Sequence, residues 1–374
     1  MQHTRIKYSK NLPTAFFPIL KQRIAAYFEE KNIAKQGQWR LLLKSVVSLG
    51  TLLVPYFILL FFDLSDPIIF LLFGIMGVGM TFIGMHMMHE GCHGAYHSNR
   101  WINLFAANTM YLVGGDKTIW LTSHNVLHHS YTNIYGHDVD LEAGNGIIRL
   151  TEHAEWQAKH RYQHIYAFFL YSLLTLTWVF LTDYIKLRKF RKRKVLAVRN
   201  PDARVHWFRL IAYKILSYTF WLVIPLFLIQ FAAWKYLLGF LLMHLVAGII
   251  LTLVFQLAHL TEEAEMPQPN ESGNMEHSWA VHQLETTANW GTHNSLWNWF
   301  TGGLNHQIEH HLFPGISHVH YPAIAPIVKE TAKEFGLPYH EFDKMSDALK
   351  AHYDHLKEMG KKPEISSRIA VENG

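Results

Sequence analysis

Thiols are nearly absent from this chain. Cys92 is the one cysteine in 374 residues. That excludes an internal disulfide framework and any zinc or iron–sulfur site built from several thiolates. Charge is sparse as well: only 17% of residues are Asp, Glu, Lys or Arg. Five segments carry none at all, at 45–62, 67–85, 165–182, 215–234 and 236–258. Uncharged apolar runs of about 18 residues or more are transmembrane candidates, so two soluble domains are not the expectation here. There is no internal repeat and no low-complexity tract. No cleavable signal peptide is expected, because the first apolar run follows a polar, basic leader. The net charge of +5 is modest, and its basic part concentrates in Lys186–Lys194. Beside an apolar segment, such a cluster reads as a headgroup-facing, cytoplasmic feature in preference to a nucleic-acid or partner patch. No nucleic-acid partner is expected.

Charge also orients the runs. The N-terminal flank carries Lys21, Arg23, Lys31, Lys35, Arg40 and Lys44, whereas the loop between the first two runs carries Asp63 and Asp66. The positive-inside tendency then places the N-terminus in the cytoplasm. If 165–182 crossed, Lys186–Lys194 would land outside, so that run reads as interfacial or re-entrant. The expected spans are 45–62, 67–86, 213–232 and 236–258, with a tight turn around Trp234 and Lys235. The expected fold is all-α and integral to the membrane, with about four transmembrane helices and a cytoplasmic helical cap. The expected division is a leader over 1–40, a membrane domain over 41–321 and a helical cytoplasmic tail over 322–374. The segment 261–278 reads as an acidic, flexible loop.

Histidine is what the chain has in abundance, with 26 residues. Three clusters stand out: His89-Glu-Gly-Cys-His93, His124-Asn-Val-Leu-His128-His129 and His306-Gln-Ile-Glu-His310-His311. Neutral imidazole is a common ligand for iron, zinc and copper. His89 and His93 are spaced i, i+4, as are His124 and His128, so each pair shares a helix face and can share an ion. Adjacent histidines on a helix diverge by about 100°. The pairs His128–His129 and His310–His311 therefore point to two metal ions. His86 and His97 extend the first stripe, and one helix face cannot aim all four at one metal.

The three boxes resemble those of the membrane fatty acid desaturases, whose boxes have the forms HxxxH, HxxxHH or HxxHH, and [HQ]xxHH. The third box, Gln307-Ile-Glu-His310-His311, resembles the QxxHH variant of the front-end type. Those enzymes insert a double bond between an existing one and the carboxyl end. The resemblance runs from about residue 38 into the tail. It implies two non-haem iron ions and dioxygen as co-substrate, with a long fatty acyl chain as substrate. It implies metal ligands at His89, His93, His124, His128, His129, His310 and His311, with a further one at His259 in Phe-Gln-Leu-Ala-His. Gln307 stands where the other variant has histidine, and it either binds or orients a neighbour. His306 can substitute for it, although a helical third box would point His306 elsewhere. Glu90, Asp138, Asp140 and Glu309 are candidates to orient ligands.

Two departures matter. Many front-end relatives carry a fused cytochrome-b5-type domain with a His-Pro-Gly-Gly motif. This sequence holds no His-Pro dipeptide, and its leader is expected to be too short for such a domain. The expected electron donor is a separate ferredoxin or cytochrome-b5-type protein. Glu90 stands where an Asp is frequent. Trp279, Trp290, Trp297 and Trp299, ahead of the third box, suit either a tunnel lining or the lipid interface, where Trp is favoured. Histidine boxes do not separate a desaturase from a membrane di-iron hydroxylase. A zinc-dependent membrane hydrolase and a histidine-rich metal transporter are further alternatives. The transporter predicts ligands within the bilayer, and these boxes flank the apolar runs.

Overall fold

The computed structural model describes residues 6–9, 15–142, 146–197 and 202–363. The last part of the expected tail, 364–374, and most of the first fourteen residues lie outside them.

The uncharged runs become long helices. Among the described residues four are long and apolar enough to cross a membrane: α2 (Trp39–Phe61), α3 (Asp66–His93), α8 (Arg204–Leu228) and α9 (Ala233–His259). At 1.5 Å per residue, 23 residues reach about 35 Å, enough for a hydrocarbon core of about 30 Å. They are preceded by α1 (Phe16–Lys31). The helices α4 (Arg100–Asn108) and α5 (117–131) lie between the two pairs. The run at 165–182 is no straight span. It falls on α6 (Ala158–Ser172) and α7 (Leu174–Arg193), which bend by 58° at their junction. That geometry is a broken span or a re-entrant segment. The second turn differs from expectation by a few residues. The third apolar helix stops at Leu228, and Trp234 and Lys235 sit in the first turn of α9, so the chain reverses at 229–232. Pro225 lies early in the last α-helical segment before that reversal.

Small residues let the long helices touch. A Cβ on Gly79 of α3 would lie 2.6 Å from the Leu52 amide nitrogen of α2. A Cβ on Gly248 of α9 would collide with the Ser172 carbonyl at the α6–α7 bend. Apolar lipid gives no hydrophobic reason for helices to associate, so such close backbone approach is what holds them.

The polar remainder forms a cap. It contains α10 (Trp279–Glu285), α11 (Ser295–Phe300), α12 (Gln307–Leu312), α13 (Tyr321–Glu334) and α14 (Met345–Met359). Phe16, Leu20, Ile24 and Phe28 recur at helical spacing on α1 and bury against Ile324, Val328 and Ala332 of α13. Arg23 grips Glu334 with two hydrogen bonds, 2.8 and 2.7 Å. One element escapes an all-α reading: β1 (Ala288–Trp290) pairs in parallel with β2 (His340–Phe342), Asn289 opposite Glu341. Three residues are too short for alternation to register in sequence. The pair ties the segment before the third box to the chain that follows α13. The 261–278 segment is irregular, but it is bonded: Met275 donates to the Lys7 carbonyl at 2.8 Å and Lys7 to that of Gly273 at 2.9 Å.

Candidate metal centre

Two of the three boxes sit at π-helical turns. Residues Ile83–Met88 form one such turn directly before His89, and Thr122–His128 form another that contains His124. A π turn accommodates an extra residue and so re-aims the side chains that follow; such turns recur at functional sites. The second apolar helix runs unbroken into the first box and delivers His89 and His93 at its C-terminal end. The third box is carried by α12, six residues long, with every residue buried. His259 is the last residue of α9.

These elements converge. Ring nitrogens of His89, His93, His124 and His310 lie within 4.8 Å of one another, and so do those of His128, His259 and His311. The adjacent pair His310–His311 is thus split, His310 to the first group and His311 to the second, as divergence on a helix requires. His129 stands between the groups, its ring centroid 4.7 Å from His310 and 4.5 Å from His311. Eight of the nine sequence candidates are therefore histidines gathered around one buried space. Gln307 is buried as well, but both of its amide atoms lack a partner. His306 belongs to neither group; its ring nitrogens make no hydrogen bond, and Nδ1 lies 3.7 Å from Glu309 Oε2.

The arrangement is electrostatically incomplete without a cation. His89 Nε2 lies 3.1 Å from His124 Nε2, which lies 3.2 Å from His129 Nε2. The Nε2 atoms of His93, His259, His310 and His311 are buried with no hydrogen-bond partner. Buried polar nitrogens left unpaired cost about 1–3 kcal/mol each, and facing lone pairs repel. A metal ion resolves all of these at once, so the residues present fit one. Burial pushes the His124, His129, His310 and His311 pKa values well below the ordinary imidazole range, with neighbouring histidines adding to it. They are therefore neutral, the form that ligates.

The far side of several rings is fixed. His128 Nδ1 bonds Asp138 Oδ2 at 3.0 Å, and Asp140 stands 3.6 Å away. Burial opposes charge on this pair, but the mutual attraction wins. It raises the His128 pKa and lowers that of Asp138. His311 Nδ1 donates to Gln283 Oε1 at 2.7 Å, His259 Nδ1 to the Thr286 carbonyl at 3.1 Å, and His310 Nδ1 meets the Tyr321 hydroxyl at 3.2 Å. Such partners set the tautomer and leave Nε2 free for a metal. Asp138 was legible in sequence; Gln283, Thr286 and Tyr321 were not, since nothing local marks them. The other two candidate carboxylates do different work. Glu90 accepts from the His318 backbone amide at 3.1 Å, and His318 Nδ1 lies 2.9 Å from it. Glu309 is held by Asn289 and the Tyr339 hydroxyl, each at 2.9 Å. Of the tryptophans ahead of the third box, Trp290 is fully buried and Trp279 donates to the His129 carbonyl at 3.0 Å. Trp120 contributes more to the centre: its ring stacks on His124, 4.4 Å between centroids. His86 bonds the Phe300 carbonyl at 3.2 Å, and His97 accepts from the Asn99 amide at 2.9 Å.

Beside His89 lies a small apolar cavity, lined by Met80, Met88, Trp120, Trp178 and Phe255 among others. Its walls come mainly from α3, α5, α7 and α9, and His89 of the first group is among them.

Comparison with known proteins agrees with this geometry. The family model for fatty acid desaturases matches residues 65–343. The sn-1 linoleoyl-lipid 6-desaturase of Synechocystis sp. is 33% identical over 96% of this chain and 98% of its own length. That of Arthrospira platensis is 32% identical over 97% of both chains. The acyl-lipid (8-3)-desaturase of Physcomitrium patens is 34% identical over 92% of this chain and 72% of its own length. The chain belongs to the fatty acid desaturase family.

Proposed function

We propose that this chain is a front-end acyl-lipid desaturase with two iron ions at the two histidine groups. The observation that carries the reading is the convergence of seven ring-nitrogen donors into a group of four and a group of three, beside an apolar cavity. His89, His93, His124 and His310 would hold one ion and His128, His259 and His311 the other, with His129 between them and Gln307 within the same buried region. Iron at this site would supply the dioxygen-dependent oxidising power that an unactivated methylene pair demands, since such C–H bonds offer no acidic proton.

The chain's own residues supply the rest. Asp138, Gln283, Tyr321 and the Thr286 carbonyl hold the rings in one orientation. The cavity walls present carbon and sulfur to the acyl chain and keep water from the reacting carbons. Removing two hydrogens while dioxygen becomes two waters requires two electrons and two protons from outside. A separate ferredoxin or cytochrome-b5-type protein meets that need. The positive-inside tendency of the basic segments supports an active site on the cytoplasmic face.

The test is expression in a host lacking polyunsaturated fatty acids, supplied with linoleate. Gas chromatography–mass spectrometry of the lipids is expected to reveal a new double bond between the existing one and the carboxyl end. A hydroxylated acyl chain instead would replace the reading with that of a hydroxylase.

A further inference from the structure

The C-terminal half of α7, with its cap residue Lys194, carries seven Lys or Arg residues among the nine at 186–194. Its apolar face is already used. Leu187 and Phe190 are buried against Ile119, Leu127, Val139 and Leu210. A helix that rests on lipid turns its apolar face outward; this one turns Leu187 and Phe190 into the protein, and outside it charge dominates, with Ile185 the apolar side chain exposed beside it. Arg188 and Lys192 are exposed, and Arg191 is half-buried. The cations that face inward tie the helix to the metal centre. Lys186 Nζ donates to Ser123 Oγ at 3.2 Å, and Ser123 precedes His124 in the chain. Lys189 and Arg193 both pair with Glu142, four residues after Asp138. Just beyond the helix, the Ala197 amide donates to Thr122 Oγ1 at 3.0 Å.

We infer that the outer face of 186–194, with Arg188, Arg191 and Lys192, is the docking surface for the acidic face of a small one-electron carrier protein. The inference rests on the desaturase reading, which is what demands electrons from outside. A carrier seated there lies over the outer side of the second box, and Lys186 and Ser123 bridge from the docking face to His124. The concentrated positive charge steers an acidic partner and sets its register, and it adds encounter rate more than static affinity. The electrons pass one at a time from the reduced carrier, which is thereby oxidised, and two such encounters supply one turnover.

The test uses the full chain in nanodiscs and two acidic probes, a plant-type [2Fe–2S] ferredoxin and a soluble cytochrome b5, each oxidised. Binding is read by calorimetry, independently of turnover. At least one probe is expected to bind, more weakly as salt rises. The triple variant R188E/R191E/K192E is expected to weaken it by about tenfold or more. The milder R191Q/K192Q pair is expected to give an intermediate loss, and product formed with dithionite as reductant should stay unchanged in both. Unchanged affinity in the triple variant overturns the proposal. So does a variant whose activity instead shifts with the anionic-lipid content of the disc, which marks a lipid surface. Failure of the wild-type chain to form desaturated product with dithionite would strike the desaturase reading separately, whatever the binding result.

Discussion

Replacing His310 by alanine is expected to abolish the desaturated product. His310 is the one residue of the third box in the four-histidine group, and its Nε2 is buried with no partner of its own. On the proposed reading, its removal would leave three imidazoles where four would hold an ion. Losing a group that merely orients a ligand costs about 10- to 100-fold in metal affinity or activity, and losing the ligand itself should cost more. Product per enzyme should therefore fall below about one hundredth of the wild-type level. The chain should still insert and fold, because the α12 helix is held by other contacts. Ile308 and Leu312 remain buried in the α1–α13 cluster, and the Ile308 amide donates to Asn289 at 2.9 Å. Gas chromatography–mass spectrometry on matched amounts of purified membrane protein measures the effect. Unchanged product would remove His310 from the centre.

Asp138→Asn is expected to have the second largest effect. Its carboxylate accepts from His128 Nδ1 and from the Asn133 and Asp140 amides, each at 3.0 Å. Asparagine keeps the shape and one acceptor oxygen but loses the charge that raises the His128 pKa. His128 would then be a weaker base, and its tautomer would no longer be enforced. Iron affinity at the three-histidine group should drop by about 10- to 100-fold. The expected reading is partial metal loss against a chelator, with activity recovered when excess ferrous iron is restored. A merely structural role would lower the yield of folded protein and leave the iron affinity of the surviving fraction unchanged.

Much of this molecule was legible in the sequence because membranes and metals impose simple periods. Uncharged runs mark α2, α3, α8 and α9, since only a closed helical backbone satisfies its own polar groups in lipid. Basic Lys186–Lys194 argued that the run before it is interfacial or re-entrant, and the 58° bend between α6 and α7 fits either a broken span or a re-entrant segment. The i, i+4 spacings and the adjacent pairs anticipated two clusters, and the structure divides His310 from His311 between them. What stayed hidden depends on distant pairing. Gln283 reaches His311 across 28 positions and Tyr321 reaches His310 across 11, and no local pattern announces such a contact. The β1–β2 pair is too short to alternate visibly. The π turns at 83–88 and 122–128 leave no trace in residue type, yet they aim His89 and His124. Trp120 gave no sign of its place because one aromatic beside a box is indistinguishable from core.

Counting metal tests most directly whether the two histidine groups hold two iron ions. The full chain, purified from membranes in mild detergent and loaded anaerobically with ferrous iron, should retain two irons per chain after desalting. Mössbauer spectra should show high-spin non-haem iron only, and zinc should be negligible by mass spectrometry of the same sample. One zinc per chain with no retained iron would contradict the account.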